Sequence, residues 1–459
     1  MFGGACAKTE KPAPARTALL KRPSIVLISV ESVRADHAGC YGYERDTTPT
    51  MDALARAATL YENAFAVTSW TLTSHASIFT GLYPSAHNVL HEKDRLNDSW
   101  KTMAEILADY GYQTAAIISG PYLKKAHGLN QGFQTYDETP ISPPKVNAHN
   151  DITNGRMEAQ INVFLSRVRR ADSPFFLFLY FWDPHYQFIP PPPYDSMFVP
   201  AGALKPKQTP EFHRYYKLGK HITPAELEYV KAQYDGELRC TDGYLKKLFD
   251  RLQTLGLWED AAIILTADHG EQFYEHGGLG HKYDLHVESL HVPLVVKYPG
   301  QREARREGRM VNLMDLFPTV LDLGQCRIPD GQQGVSLLAD PRAPLDPTFY
   351  ELVSVWFAKR KSTGEKWSET ENWFGVRVGD YKLIQQELAG VTELYNVVED
   401  PAELHPIAGG REELVADLAA RLAQWRADMK AVADRGGAPT QAVLSPEEEE
   451  RLRSLGYLD

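Results

Sequence analysis

Three acidic residues stand where a parallel sheet would present them. Glu31 follows the apolar run Ile25–Val30, Asp183 comes just after Phe175–Phe181, and Asp268 follows an apolar run at 261–266. Short, continuous apolar runs of this kind read as buried parallel strands, and ligands of such sheets bind beyond the carboxyl ends of the strands. Asp268 lies in Thr266-Ala-Asp-His-Gly-Glu271, so an imidazole, His269, accompanies it. The segment Ser69-Trp70-Thr71-Leu72-Thr73-Ser74-His75-Ala76-Ser77 supplies several hydroxyls. Carboxylates and an imidazole suit a divalent cation, and such an ion stabilises the alkoxide of a hydroxyl nucleophile. Each residue alone also fits an ordinary role, because an acid after a strand is commonly a helix cap or a salt-bridge partner.

The elements that must position these groups alternate. Further apolar runs occur at 114–118 and Leu294–Lys297, and helical patterns at 51–60, 102–110 and 225–255, the last ending at Gly256 as a C-cap. Alternation of this kind predicts an α/β fold with a mixed, mostly parallel sheet flanked by helices. The character changes near the C-terminus. Residues 374–384 alternate around Gly379-Asp380 and read as a hairpin. Leu414, Leu418, Leu422, Trp425, Met429 and Val432 recur at helical spacing. A C-terminal hairpin and one packing helix are expected. Loops are expected at 139–150, 189–210 and 361–372.

The chain has 459 residues, 43% of them hydrophobic, enough for one large domain plus a smaller one. A net charge of −11 without a basic stretch excludes a nucleic-acid partner. No apolar run reaches the roughly 18 residues of a transmembrane helix. The four cysteines, Cys6, Cys40, Cys240 and Cys326, lack the spacing of a zinc ribbon or disulfide framework. Gly3-Gly4-Ala5-Cys6 resembles the end of a bacterial lipobox, and the polar stretch 7–22 suits a tether, although only five residues precede Cys6. The expectation is a periplasmic or cell-surface protein lipid-anchored through Cys6, with a cytoplasmic location as the alternative.

Residues 69–81 resemble the signature of the sulfatases, in the alkaline phosphatase superfamily. There a Cys or Ser is followed by x-Pro-x-Arg, then Ala-Ser and Thr-Gly. Ala76-Ser77 and Thr80-Gly81 match, while Thr71, Thr73 and His75 stand at the nucleophile, proline and arginine positions. The sulfatase Cys or Ser is oxidised to formylglycine. Threonine is not a substrate for that modification, so no formylglycine is expected here. The resemblance runs from Ser24 to the C-terminal residues and implies a small C-terminal antiparallel subdomain, which Glu393-Leu-Tyr-Asn396 followed by Asp400-Pro401 resembles.

Carried over position by position, the resemblance implies a metal site of Glu31, Thr71, Asp268 and His269. Most sulfatases have Asp at the Glu31 position, often a second Asp at Ser32, and hold calcium. Glu, Thr, Asp and His is instead similar to the ligand set of lipoteichoic-acid synthases and phosphoethanolamine transferases. One divalent ion, Mn or Zn in preference to Ca, is therefore implied, and an imidazole ligand favours a borderline ion. By the same resemblance, His185 in Asp183-Pro184-His185 would donate to the leaving group, and Lys282 in Gly280-His281-Lys282 would bind a non-bridging oxygen. His281 and, more weakly, His276 are pocket candidates, as is Asp183. The Gly-Lys pair that supports formylglycine is missing, since Ile118-Ser119-Gly120-Pro121-Tyr122 places Ser119 at the lysine. His75, Ser119 and Tyr122 are candidates to line the pocket instead. Singly, each of these also reads as an ordinary loop side chain.

These residues imply a metal-dependent hydrolase of phosphate diesters or phosphonate monoesters acting through a phospho-Thr71 intermediate. A formylglycine sulfate collapses by expelling sulfate, whereas a threonine sulfate has no such exit. A small-molecule phosphate or phosphonate ester, or a sulfate ester, is the expected partner, with self-association left open. The alternatives are a sulfatase with an unmodified threonine, a phospho-group transferase, and an inactive binding protein. The organisation expected is a linker at 1–22, a catalytic domain at 23–345, an α+β subdomain at 346–435 and a tail at 436–459.

Overall fold

Ile25–Val30 forms the central strand β1, buried along its whole length. The computed structural model describes residues 22–143, 151–206, 222–339, 347–359 and 366–454; Cys6 lies outside the described residues. The next strands are β2 (Thr59–Phe65), β3 (Asp94–Arg95), β4 (Gln113–Ile118), β5 (Thr135–Asp137) and β6 (Phe175–Phe181). They are followed by β7 (Ala262–Ala267), β8 (Gln272–Phe273), β9 (Leu279–Gly280), β10 (Leu294–Lys297) and β11 (Arg305–Asn312). The C-terminal part adds β12 (Thr348–Lys359), β13 (Lys366–Val378), β14 (Tyr381–Gln386), β15 (Val391–Asn396) and β16 (Thr440–Gln441).

Eight strands form the main sheet in the order β11-β2-β10-β7-β1-β6-β4-β5. Only β10 runs against its neighbours β7 and β2. A four-stranded antiparallel sheet, β12-β13-β14-β15, follows near the C-terminus. The mixed, mostly parallel sheet with a small antiparallel subdomain is thus the fold expected. The register does the positioning. Val30 pairs with both Ala267 and Phe181, so Glu31 and Asp268 leave adjacent strands at the same level.

Helix Pro224–Thr254 shows why the local sequence folds as it does. Thr223 and Glu226 form a reciprocal capping box, Pro224 occupies the first turn, and Gly256 takes the left-handed conformation beyond the end, at φ +66°. Its Tyr234 hydroxyl accepts from the Arg34 N–H at 3.0 Å and donates to the Ser32 carbonyl at 2.9 Å. The helix therefore clamps the turn that follows β1.

Two expectations need correction. The helix expected at 51–60 ends early: Pro49–Ala55 is helical, and Thr59–Phe65 is strand β2 between β10 and β11. An alanine-rich stretch carries the helical pattern into residues whose β-branched and aromatic side chains suit a sheet. The loop expected at 361–372 is in part strand, because β13 begins at Lys366 and pairs with β12 from there.

The C-terminal subdomain joins the main domain through an apolar and an ionic contact. Trp425, on helix Glu412–Gly436, stacks on Phe349 at 4.8 Å and meets Tyr83 edge-on at 5.2 Å. In the ionic contact, the buried Lys382 ammonium of β14 binds both Glu403 oxygens, at 2.9 and 2.8 Å, and the Leu285 carbonyl at 2.7 Å. Beside it the rings of His276 and His286 stack 3.6 Å apart. His276 bonds Glu288 and His286 bonds Asp284, each at 2.7 Å. His276, a pocket candidate by sequence, therefore belongs to this junction. It sits in the turn of the β8–β9 hairpin and donates to the Glu403 carbonyl at 2.7 Å.

Burial alone would lower the His286 pKa, but the Asp284 charge and hydrogen bond outweigh it and raise it from 6.5 to about 10. The protonated ring therefore stabilises the fold fully below about pH 6.5, and that contribution is lost as pH rises through about 10. Thermal unfolding of wild type and His286→Gln across this range should show a gap in midpoint that is widest near pH 6 and closes as pH approaches 10.

Candidate active site

Glu31 and Asp268 meet at the level set by the β1–β7 register, and neither side chain is exposed. Ser32 links them. Its backbone N–H donates to Asp268 Oδ1 at 3.1 Å and its hydroxyl donates to Glu31 Oε1 at 2.6 Å. Ser32 pays for this geometry with a left-handed backbone, φ +54°, a strain that proteins retain mainly at functional sites. The Tyr180 hydroxyl of β6 donates to Glu31 Oε2.

Thr71 opens helix Thr71–Thr80. Its Oγ1 stands 3.1 Å from His269 Nε2 and 3.5 and 3.4 Å from the two Glu31 oxygens. His269 Nδ1 lies 2.9 Å from the Gly270 carbonyl. A carbonyl only accepts, so Nδ1 carries the proton and the Nε2 lone pair faces Thr71 and Glu31. Nε2 is also 3.3 Å from Glu31 Oε1 and 3.6 Å from Asp268 Oδ2. Glu31, Thr71, Asp268 and His269 thus converge.

This arrangement fits a divalent cation. Asp268 Oδ2 is buried and has no hydrogen-bond partner among the described residues. Burial, and then the Asp268 charge, push the Glu31 carboxyl well above its usual range. Arg34 is already held by Asp36 and Glu275, each at 2.7 Å. Two buried carboxylates, an imidazole lone pair and a hydroxyl form a mixed oxygen–nitrogen donor set of the kind that borderline ions favour.

The other candidates fall into distinct places. His281 is close to the centre. Its ring lies 4.5 Å from that of His269, and Glu31, His269 and His281 offer ligand atoms within 4.8 Å of one another. Its Nδ1 is 3.1 Å from Glu271, whose carboxyl burial raises to about 8. His185 stacks on Trp182 at 3.7 Å and meets His281 edge-on at 5.3 Å; its Nδ1 donates to the Tyr186 carbonyl at 2.6 Å. Lys282 pairs with Glu92 and lies 4.0 Å above the Trp70 ring. Tyr122 packs edge-on against Trp70 at 5.3 Å.

Three candidates serve the framework. His75, four residues after Thr71, donates from Nδ1 to the Thr71 carbonyl at 2.8 Å and accepts from the Ser29 hydroxyl at 3.1 Å, tying the first helical turn to β1. The Ser119 hydroxyl donates to the Tyr180 carbonyl at 3.1 Å and accepts from the Trp182 N–H at 2.8 Å, joining the ends of β4 and β6. Asp183 accepts from the Thr153 N–H and hydroxyl and the Asn154 N–H at 2.8, 2.9 and 3.0 Å, which caps helix Asn154–Val163. Sequence reasoning missed Tyr180, hidden in an apolar strand, and Glu92, 190 residues from Lys282.

Known proteins resemble this chain over much of its length. The Sulfatase family profile matches residues 23–325, and that of the N-sulphoglucosamine sulphohydrolase C-terminal region matches 275–428. An ulvan-active sulfatase of Formosa agariphila is 27% identical over 341 residues, spanning 69% of this chain and 64% of that protein. A multifunctional alkaline phosphatase superfamily protein of Trinickia caryophylli is 27% identical over 293 residues, 56% of each chain. The crystal structure of a phosphonate monoester hydrolase of Agrobacterium radiobacter shares the fold with a TM-score of 0.70 at 22% identity, covering 89% of this chain and 96% of that one.

Chelation should expose two facing buried carboxylates. The thermal midpoint should fall by a few degrees and recover with Mn²⁺ or Zn²⁺ more fully than with Ca²⁺. An Asp268→Asn variant should lose most of that dependence.

Proposed function

The chain is a member of the sulfatase family, and within that family we propose a metal-dependent hydrolase of phosphate diesters or phosphonate monoesters whose nucleophile is unmodified Thr71. The observation that carries this reading is the Thr71 hydroxyl, 3.1 Å from the His269 lone pair and 3.4 Å from Glu31, at the first position of a helix. A helix N-terminus favours developing negative charge. Glu31, Asp268, His269 and Thr71 would hold the ion, which when bound would acidify the Thr71 hydroxyl and offset the carboxylates.

The chain's own residues account for the steps. Thr71 Oγ1 gives up its proton to solvent and attacks phosphorus in line, as the bond from phosphorus to the leaving oxygen breaks. His185, protonated on both ring nitrogens with Nδ1 donating to the Tyr186 carbonyl, would deliver its Nε2 proton to that oxygen and recover one from the water of the next step. Water then attacks the phosphorus of phospho-Thr71, breaking the Oγ1–P bond and restoring the hydroxyl. The same route through sulfur ends at a threonine sulfate, which cannot regenerate an aldehyde as a formylglycine sulfate does.

Sulfuric ester hydrolysis by unmodified Thr71 is the second reading, favoured by the family itself. A panel of aryl sulfate, phosphate mono- and diester and aryl phosphonate monoester with Mn²⁺, Zn²⁺ or Ca²⁺ separates the two. The phosphodiester or phosphonate should turn over fastest. Thr71→Ala should lose at least about 10³-fold in kcat, whereas Thr71→Ser should stay within about tenfold. Preference for the sulfate over every phosphorus substrate would reverse the order of the two readings.

A further inference from the structure

We propose that Glu92 sets the charge of the substrate, holding Lys282 neutralised so that the site accepts singly charged esters and discriminates against doubly charged ones, an assignment that rests on the hydrolase reading above. Lys282 follows His281 directly and adopts a left-handed backbone at φ +71°. A lysine rarely takes this conformation without a constraint. Its ammonium pairs with the Glu92 carboxylate and lies over the face of Trp70, 4.0 Å away. Trp70 immediately precedes Thr71, and Lys282 immediately follows His281, whose ring lies 4.5 Å from that of His269, so the pair is tied at both ends to residues next to the centre. The Lys282 and Glu92 side chains are only 3% and 9% exposed, so solvent screens the pair weakly.

Charge balance gives the pair its consequence. Glu31 and Asp268 together offset a divalent ion. Arg34 is committed to Asp36 and Glu275, and Glu271 adds no positive charge. Apart from His185, whose proton goes to the leaving group, Lys282 is then a cation near the centre whose charge could attract a second negative charge on the substrate, and Glu92 offsets it. The positions where the sulfatase resemblance expects cations hold His75, which faces Ser29, and Ser119, which ties two strands. A phosphate diester, a phosphonate monoester and a sulfate monoester all bring one negative charge to such a site. A phosphate monoester brings two.

The test compares kcat/KM for bis-para-nitrophenyl phosphate, a monoanion, with that for para-nitrophenyl phosphate at a pH where it is a dianion. Glu92→Gln should raise the monoester-to-diester ratio about tenfold or more, while Glu92→Asp keeps it within about twofold of wild type. Lys282→Gln leaves the Glu92 charge uncompensated and should lower the ratio about tenfold. The double variant should return it to near the wild-type value. Thermal unfolding identifies any variant that does not fold. If Glu92→Gln is one, Lys282→Gln decides alone. Ratios within about twofold of wild type in the folded charge-changing variants overturn the proposal. Failure of the wild type to turn over either ester instead overturns the hydrolase reading, and this assignment with it.

Discussion

Two carboxylates that share a buried corner of the sheet govern the rest of this structure. Glu31 and Asp268 leave β1 and β7 at the same level, both fully buried, and among the described residues neither is paired with a lysine or arginine. Isolated buried charges cost several kcal/mol each, so the corner is stable only with a cation or with protons taken up. The surrounding chain is arranged to hold the two groups in place. Ser32 bridges them from a strained left-handed backbone, Tyr234 braces the turn from the long helix, and Tyr180 binds the far Glu31 oxygen. His269 presents its Nε2 lone pair because its one ring proton sits on Nδ1, where it is donated to the Gly270 carbonyl. Thr71 then enters at a helix N-terminus, where a hydroxyl oxygen can bear negative charge.

The groups that would support formylglycine are changed together. His75 is turned beneath the first helical turn towards Ser29, and Ser119 closes the gap between two strand ends. Both positions have become structural and hydrogen-bonded, with no charge offered to a substrate. Lys282, at the position where the resemblance implies an oxyanion-binding lysine, is matched by the buried Glu92 carboxylate. On the proposed reading, a centre with little surplus positive charge would take singly charged phosphorus esters, carried on a sulfatase scaffold.

Much of the fold is legible in the sequence, because it depends on local pattern. The apolar runs Ile25–Val30, Phe175–Phe181 and Leu294–Lys297 coincide with β1, β6 and β10. Strand β2 is not legible, because Ala57 and Ala58 extend a helical pattern into it. Strand β11 carries charged residues along an exposed edge and lacks an apolar signature. In the site, residues adjacent to strand ends are readable, whereas partners distant in sequence are not. Asp183 looks like a site acid but caps a helix that starts about 30 residues earlier. His276 and His281 look alike in the sequence, and only the β8–β9 hairpin separates them, sending one to the subdomain junction and the other to the centre. Tyr180 cannot be distinguished from its apolar neighbours until the strand pairing turns it towards Glu31.

The central claim is that the Thr71 hydroxyl itself takes up the transferred group. Acid-quenching the metal-loaded protein during turnover of an aryl phosphodiester, then peptide mass spectrometry, tests this directly. The account predicts a phosphoryl ester confined to Thr71 in the 69–81 segment, absent from Thr71→Ala. Turnover with no modification of Thr71, or with the group on another side chain, would contradict it.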